Sequence, residues 1–195
     1  MSRLKRLPKS VMTGEQLALY DEIVSGRRAA SFPGKLLDDE AMLTGPFDVM
    51  LRNPSFGIHL SRLGECLRFE SSLSSVQIEL LILLVSAEWE CDYEWYFHAP
   101  IAEKVGLDRT LIEEIRLSKK ISSGSPALLA LYNLFNEIRE NKLVSDQTYL
   151  NCQNFFTEEE LIQATTLIGY YTLLAMWLNT FQIKPDPSLD FFGHQ

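Results

Sequence analysis

Residues 76–85 constrain the fold more than any other part of the chain. Ile78, Leu80, Leu81, Leu83, Leu84 and Val85 put aliphatic side chains on nearly every side of one helix. A helix that is apolar all round must have neighbours on all sides, so this one is expected at the centre of a helical protein. Ser74 or Ser75 supplies its start, since a serine hydroxyl can accept a bond from an unpaired amide of the first turn. No period-two strand pattern and no Gly-rich phosphate loop occur elsewhere. The fold is therefore predicted to be all-α.

The flanking segments read as amphipathic helices with identifiable ends. Residues 13–27 carry a stripe of Leu17, Tyr20, Ile23 and Val24 behind a possible Thr13 cap. Residues 29–45, with Pro33, Gly34 and Gly45, read as a loop or linker. A short helix is expected over 46–52, and another from Pro54 to about Phe69 with Leu60, Leu63 and Leu67 inward. On that helix His59 reads as a surface or packing residue and Cys66 as a small core residue. Cys91-Asp92 opens the helix after the central one, Pro100 should kink it near Tyr96, and Gly106 ends it. Asp108, Ser125, Ser145 and Thr157 are the expected caps of four more helices, the last with a capping box to Glu160. Pro185 and Pro187 begin an irregular tail. The expected division is an arm over 1–44, a helical domain over 45–184 and a tail over 185–195.

The chain has 195 residues, 46% of them hydrophobic, which suits one globular domain with an extra arm. A net charge of -8 argues against nucleic acid or an anionic membrane as a partner. Arg3, Lys5, Arg6 and Lys9 form a short basic start that reads as a solvated tail. Residues 161–183 carry no charge and could span a bilayer by length. Gln163, several threonines and Asn179 interrupt them without a basic flank, so a core or interface helix is the better reading. Cys66, Cys91 and Cys152 show no paired or zinc-type spacing, and no signal segment precedes them. A reducing cytoplasm is the expected location.

The reactive side chains gather just beyond the central helix. Cys91 and His98 are seven residues apart, and Glu94 and His98 four apart, so on a helix all three share a face. If the chain bends near Glu90, Glu79 can approach that face from the preceding helix. A carboxylate among so many aliphatic neighbours needs a partner or a raised pKa, unless it lies on an exposed edge. Trp89, Tyr93 and Trp95 could wall a small substrate pocket, although aromatics at helical spacing more often pack a core. A thiol at a helix start tends to a lowered pKa, while Glu90, Asp92 and Glu94 push the other way.

The spacing Glu79-x11-Cys91-x2-Glu94-x3-His98 resembles the pattern Glu-x11-Cys-x2-Cys-x3-His of the alkylhydroperoxidase D (AhpD)-like proteins, within the carboxymuconolactone decarboxylase superfamily. Tyr93-Glu94-Trp95 and His98-Ala99-Pro100-Ile101-Ala102 resemble a branch that lacks the second cysteine. The likeness runs from about Gly45 through Gly169-Tyr170-Tyr171 to Asn179. It implies an AhpD-like helical bundle that forms homo-oligomers and acts on a small molecule, with no cofactor.

Several chemistries fit. In the peroxidase branch a thiolate attacks a peroxide and a second thiol resolves the sulfenic acid. The resemblance would make Glu79 and His98 the proton relay, but Glu94 stands where the resolving cysteine belongs. The lactone decarboxylase branch implies acid–base chemistry, with His98 as proton shuttle, Glu79 as its carboxylate partner or base, and Glu94 as a second acid–base group. Arg68 is the one nearby candidate to hold a substrate carboxylate. Glu94 and His98, with Glu79, could also chelate a divalent ion, but two helix-spaced ligands are usually only solvated neighbours, and no metal is assigned. A non-catalytic helical oligomer with a relic site is the remaining reading.

Overall fold

The computed structural model describes residues 2–31, 36–121, 123–186 and 188–193; Pro33, Gly34 and Pro187 of the expected linker and tail lie outside them. The described residues are helical, with no strand beyond an isolated antiparallel bridge between Leu37 and Leu43. After a 3₁₀ turn at Lys9–Val11 come α1 (Gly14–Ser25), α2 (Arg27–Ser31), α3 (Gly45–Arg52), α4 (Pro54–Phe69) and α5 (Ser75–Glu88). Then follow α6 (Asp92–Lys104), α7 (Arg109–Arg116), α8 (Pro126–Asn141), α9 (Asp146–Gln153) and α10 (Glu158–Thr180). The chain forms two compact units, one of Met1–Glu70 with Trp177–Pro185, the other of Ser71–Met176 with Asp186–Gln195.

In the first unit α4 turns a face of small residues inward: Gly57, Ser61 and Gly64, with Leu67. The predicted aliphatic stripe is thus displaced, for Leu63 is 38% exposed and Leu60 only half-buried. The cause is close approach to α3 and α1. A Cβ at Gly57 would lie 2.4 Å from the Met50 carbonyl oxygen and 2.8 Å from Leu19 Cδ2. Cys66, expected in the core, is exposed for the same reason of facing; His59 is exposed as well. The basic start is exposed, as expected of a solvated segment, but it is anchored. Arg3 donates to the Phe181 and Thr180 carbonyls, Arg6 pairs with Asp38, and Lys9 pairs with Asp21 at 3.2 Å. The Thr180 and Phe181 carbonyls belong to the end of α10, where unpaired acceptors and the helix dipole favour a cation.

The second unit is organised by α5, which packs against α6, α7 and α8. Every residue from Ile78 to Ala87 is buried. Ser74 and Gln77 form a reciprocal capping box at its start. Its end determines where the site falls. Glu90 takes a left-handed backbone with φ 47°. Glu90 N–H donates to Ala87 O at 3.1 Å and Cys91 N–H to Ser86 O at 2.8 Å. This is the Schellman termination, with a glutamate in place of the usual glycine. The chain reverses there and starts α6 at Cys91, its N-cap. Pro100 sits inside α6 without ending it.

Asp108, Ser125 and Ser145 accept first-turn amides of α7, α8 and α9, and Thr157 with Glu160 closes the capping box of α10. By length and composition α10 could cross a membrane, and half of its apolar window is buried within the protein.

The close approach at Gly57 gives a stability test. Gly57→Ala should destabilise the protein by about 1–3 kcal/mol, the usual cost of overpacking a tight contact, read from the urea midpoint. Gly14→Ala, where a Cβ meets nothing within 4 Å, serves as the control.

Candidate functional site

Two helices bring the reactive groups together. Glu79 lies one turn into α5, and the reversal at Glu90 folds α6 back along it, so that His98 Nδ1 comes 2.7 Å from Glu79 Oε2. One turn before His98 on α6, Glu94 Oε2 lies 3.4 Å from His98 Nε2. The imidazole is thus held between two carboxylates, one from each helix. The relative exposures are 2% for Glu79, 4% for Glu94 and 7% for His98. The exposed-edge reading of Glu79 is overturned, since the carboxylate is inside the protein and has a partner.

The two contacts differ in kind. At 2.7 Å the Nδ1 contact has the length of a charge-assisted hydrogen bond. With Glu79 ionised the carboxylate can only accept, and Nδ1 then carries the proton in this contact, which orients the ring. The Nε2 contact is longer by 0.7 Å (3.4 against 2.7). Nε2 and Glu94 therefore share a looser pairing, the side on which a proton can pass to a third group. The Tyr171 ring of α10 stands edge-on to the imidazole, with centroids 5.3 Å apart at 88°. Its position in Gly169-Tyr170-Tyr171 was noticeable in the sequence only as part of the resemblance, because a tyrosine in an uncharged helix carries no sign of its neighbour.

Cys91 sits at the start of the same helix and is completely buried. Burial pushes its thiol well above the ordinary cysteine range, and the Glu94 charge adds to the effect. The amides of Glu94 and Tyr93 favour the thiolate, but they do not offset the loss of water. The contest between helix start and acidic neighbours is therefore decided mainly by desolvation, and the sulfur is a neutral thiol.

The aromatic residues proposed as pocket walls are packed. Tyr93 packs against Phe97 with the rings tilted by 50° and centroids 4.7 Å apart, Trp95 meets Phe192 of the tail edge-on at 5.5 Å, and Trp89 is half-buried at the end of α5. Asp92 is also buried and accepts the Phe191 N–H at 2.8 Å. That contact spans 99 residues and left no trace in the local pattern. Arg68 lies on α4, in the first unit. Among the described residues no group of three His, Cys, Asp or Glu is arranged to hold a metal ion.

Residues 54–137 match the carboxymuconolactone decarboxylase family. No curated protein matches the chain significantly. The fold is similar to that of an AhpD-core, peroxidase-related protein from Ralstonia eutropha JMP134, with TM-score 0.75 and 14% identity over 98% of this chain and 94% of the other. A peroxidase-related protein from Silicibacter sp. TM1040 has TM-score 0.70 and 12% identity, with the same 98% and 94% coverage. The debrominase Bmp8, as a cysteine-to-alanine variant in complex with 2,3,4-tribromopyrrole, has TM-score 0.68 and 12% identity over 96% of this chain and 95% of the other. At these identities the structural likeness is one of fold. The segment from α4 to α8 that matches the carboxymuconolactone decarboxylase family contains Glu79, Cys91, Glu94 and His98, and the fold is the one shared with the AhpD-core protein.

Proposed function

We propose that the chain is an acid–base enzyme of lyase type acting on a small organic substrate. The observation that carries this reading is His98 held between two buried carboxylates, tightly at Nδ1 and loosely at Nε2. A base oriented by one carboxylate, with its other nitrogen beside a second acid, is the arrangement that proton transfer to or from carbon needs. In a decarboxylation the bond to the carboxylate carbon breaks and carbon dioxide leaves. The electron pair stays behind as an enolate, and the carbon then takes a proton. Glu94 supplies that proton: it passes from the protonated carboxyl to the bare Nε2 of His98 and from Nε2 to the carbon, Glu79 holds the ring through Nδ1 meanwhile, and solvent re-protonates Glu94 after turnover.

The thiol peroxidase reading has less support. It draws on the fold of peroxidase-related relatives. It needs a thiolate, whereas Cys91 is buried and held neutral, and it needs a resolving thiol where this chain has Glu94. On the acid–base reading Cys91 is a packing residue beside the relay, and the branch lacking the second cysteine is one that has kept the proton relay without the disulfide. The working form is a homo-oligomer in the cytoplasm.

The test sets two variants against two reactions. Carboxylated lactones and β-keto acids are screened for loss of carbon dioxide and for deuterium uptake at carbon in heavy water, in parallel with hydroperoxide consumption. His98→Gln keeps polar contacts but cannot shuttle a proton. It should lower kcat/KM by about a hundredfold to ten-thousandfold, the usual share of a positioned acid–base group, with an unchanged melting profile. Cys91→Ser should keep turnover within about threefold. The reverse pattern, with peroxide consumption lost in Cys91→Ser and intact in His98→Gln, would establish the thiol reading instead.

The buried thiol also makes a pH prediction. Its proton is retained in the folded state after the unfolded chain has lost it. The folded state then binds more protons, so stability falls as pH rises above the ordinary cysteine range. Cys91→Ser should lose less stability than the wild type between neutral and alkaline pH in urea titrations. Parallel losses would show that Cys91 is not held neutral.

A further inference from the structure

The four groups of the site are at most 7% exposed, so a substrate needs a way in. Around them α5, α6 and α10 are long helices with capped starts or extensive burial, and opening any of them breaks many contacts at once. The tail is different. The described residues from Ser188 to Gly193 form no helix, yet they lie against α6 and α7. Both backbone groups of Phe191 are gripped by side chains. Its N–H donates to buried Asp92 at 2.8 Å, and its carbonyl accepts from Arg116 at 2.8 Å. Arg116 is itself held by both carboxylate oxygens of Glu113. The Phe192 ring meets Trp95 edge-on, and the Phe191 ring lies 6.5 Å from Tyr96. Asp190 closes the turn by accepting the Gly193 N–H.

The gripped positions interleave with the site on one helix. Asp92 follows Cys91 directly, and Trp95 follows Glu94. The first turn of α6 is therefore fixed on one flank by the tail and carries the reactive groups on the next. A short irregular segment held through the backbone of one residue and through ring contacts is the kind of element that opens at lower free energy than the helices it lies against.

We propose that Asp190–Gly193 is a displaceable latch that shuts the site on α6 when docked and opens it when released. What the open site does rests on the acid–base reading; the closure does not.

The three cysteines provide the measurement. Iodoacetamide labelling of the full-length protein, followed peptide by peptide in a mass spectrometer, gives a rate for each. Cys66 is exposed and reports the reagent, while Cys152, fully buried and donating to the Ala130 carbonyl, reports global loosening. Phe192→Ala removes the ring on Trp95, and Arg116→Ala removes the grip on the Phe191 carbonyl; neither residue is part of the proton relay. Each should raise the Cys91 rate by about tenfold or more, with Cys66 and Cys152 unchanged. Unchanged Cys91 labelling in both variants would overturn the latch, as would Cys91 and Cys152 rising together. Labelling does not depend on turnover, so failure of the acid–base reading would show in the His98→Gln assays and leave this result standing.

Discussion

Glu79 is a carboxylate inside the most apolar helix of the chain, and its contact with His98 makes that position tenable. Taking an unpaired carboxylate out of water costs several kcal/mol even after relaxation. The 2.7 Å contact to Nδ1 offsets much of that cost, and it also fixes α6 against α5 at one register. The reversal that permits this contact is bought with a left-handed glutamate at position 90, where glycine would be unstrained. Local strain of this kind, next to a buried polar pair, is expected where geometry serves chemistry rather than stability alone.

Much of the site was legible because its spacing is local. Cys91, Glu94 and His98 share a face by the helical repeat alone, and the Ser74, Asp108, Ser125, Ser145 and Thr157 caps each act within one turn. The approach of Glu79 to His98 depended on a bend that Glu90, a residue without turn character, does not announce. Leu63 and Cys66 were misplaced because helix periodicity gives a face but not the distance of the neighbour. At Gly57 that distance is short enough to favour small residues over leucine. The grip of Arg3 on the end of α10 and of Asp92 on Phe191 join residues more than 90 positions apart through irregular segments. No periodic signal marks such contacts.

The comparisons narrow the chemistry less than the side chains do. Proteins of this fold include peroxidase-related relatives and a debrominase, so the helical frame does not select a reaction. The side chains of this chain say more: a buried carboxylate at position 94 faces His98 Nε2, and a buried thiol lies three residues before it.

The most direct measurement is nitrogen NMR of the His98 imidazole, assigned by comparison with His98→Gln. The account predicts a proton on Nδ1, slow to exchange with solvent, that loses this protection in Glu79→Ala. A bare Nδ1 facing Glu79, with the proton on Nε2, would contradict the arrangement from which the mechanism is derived.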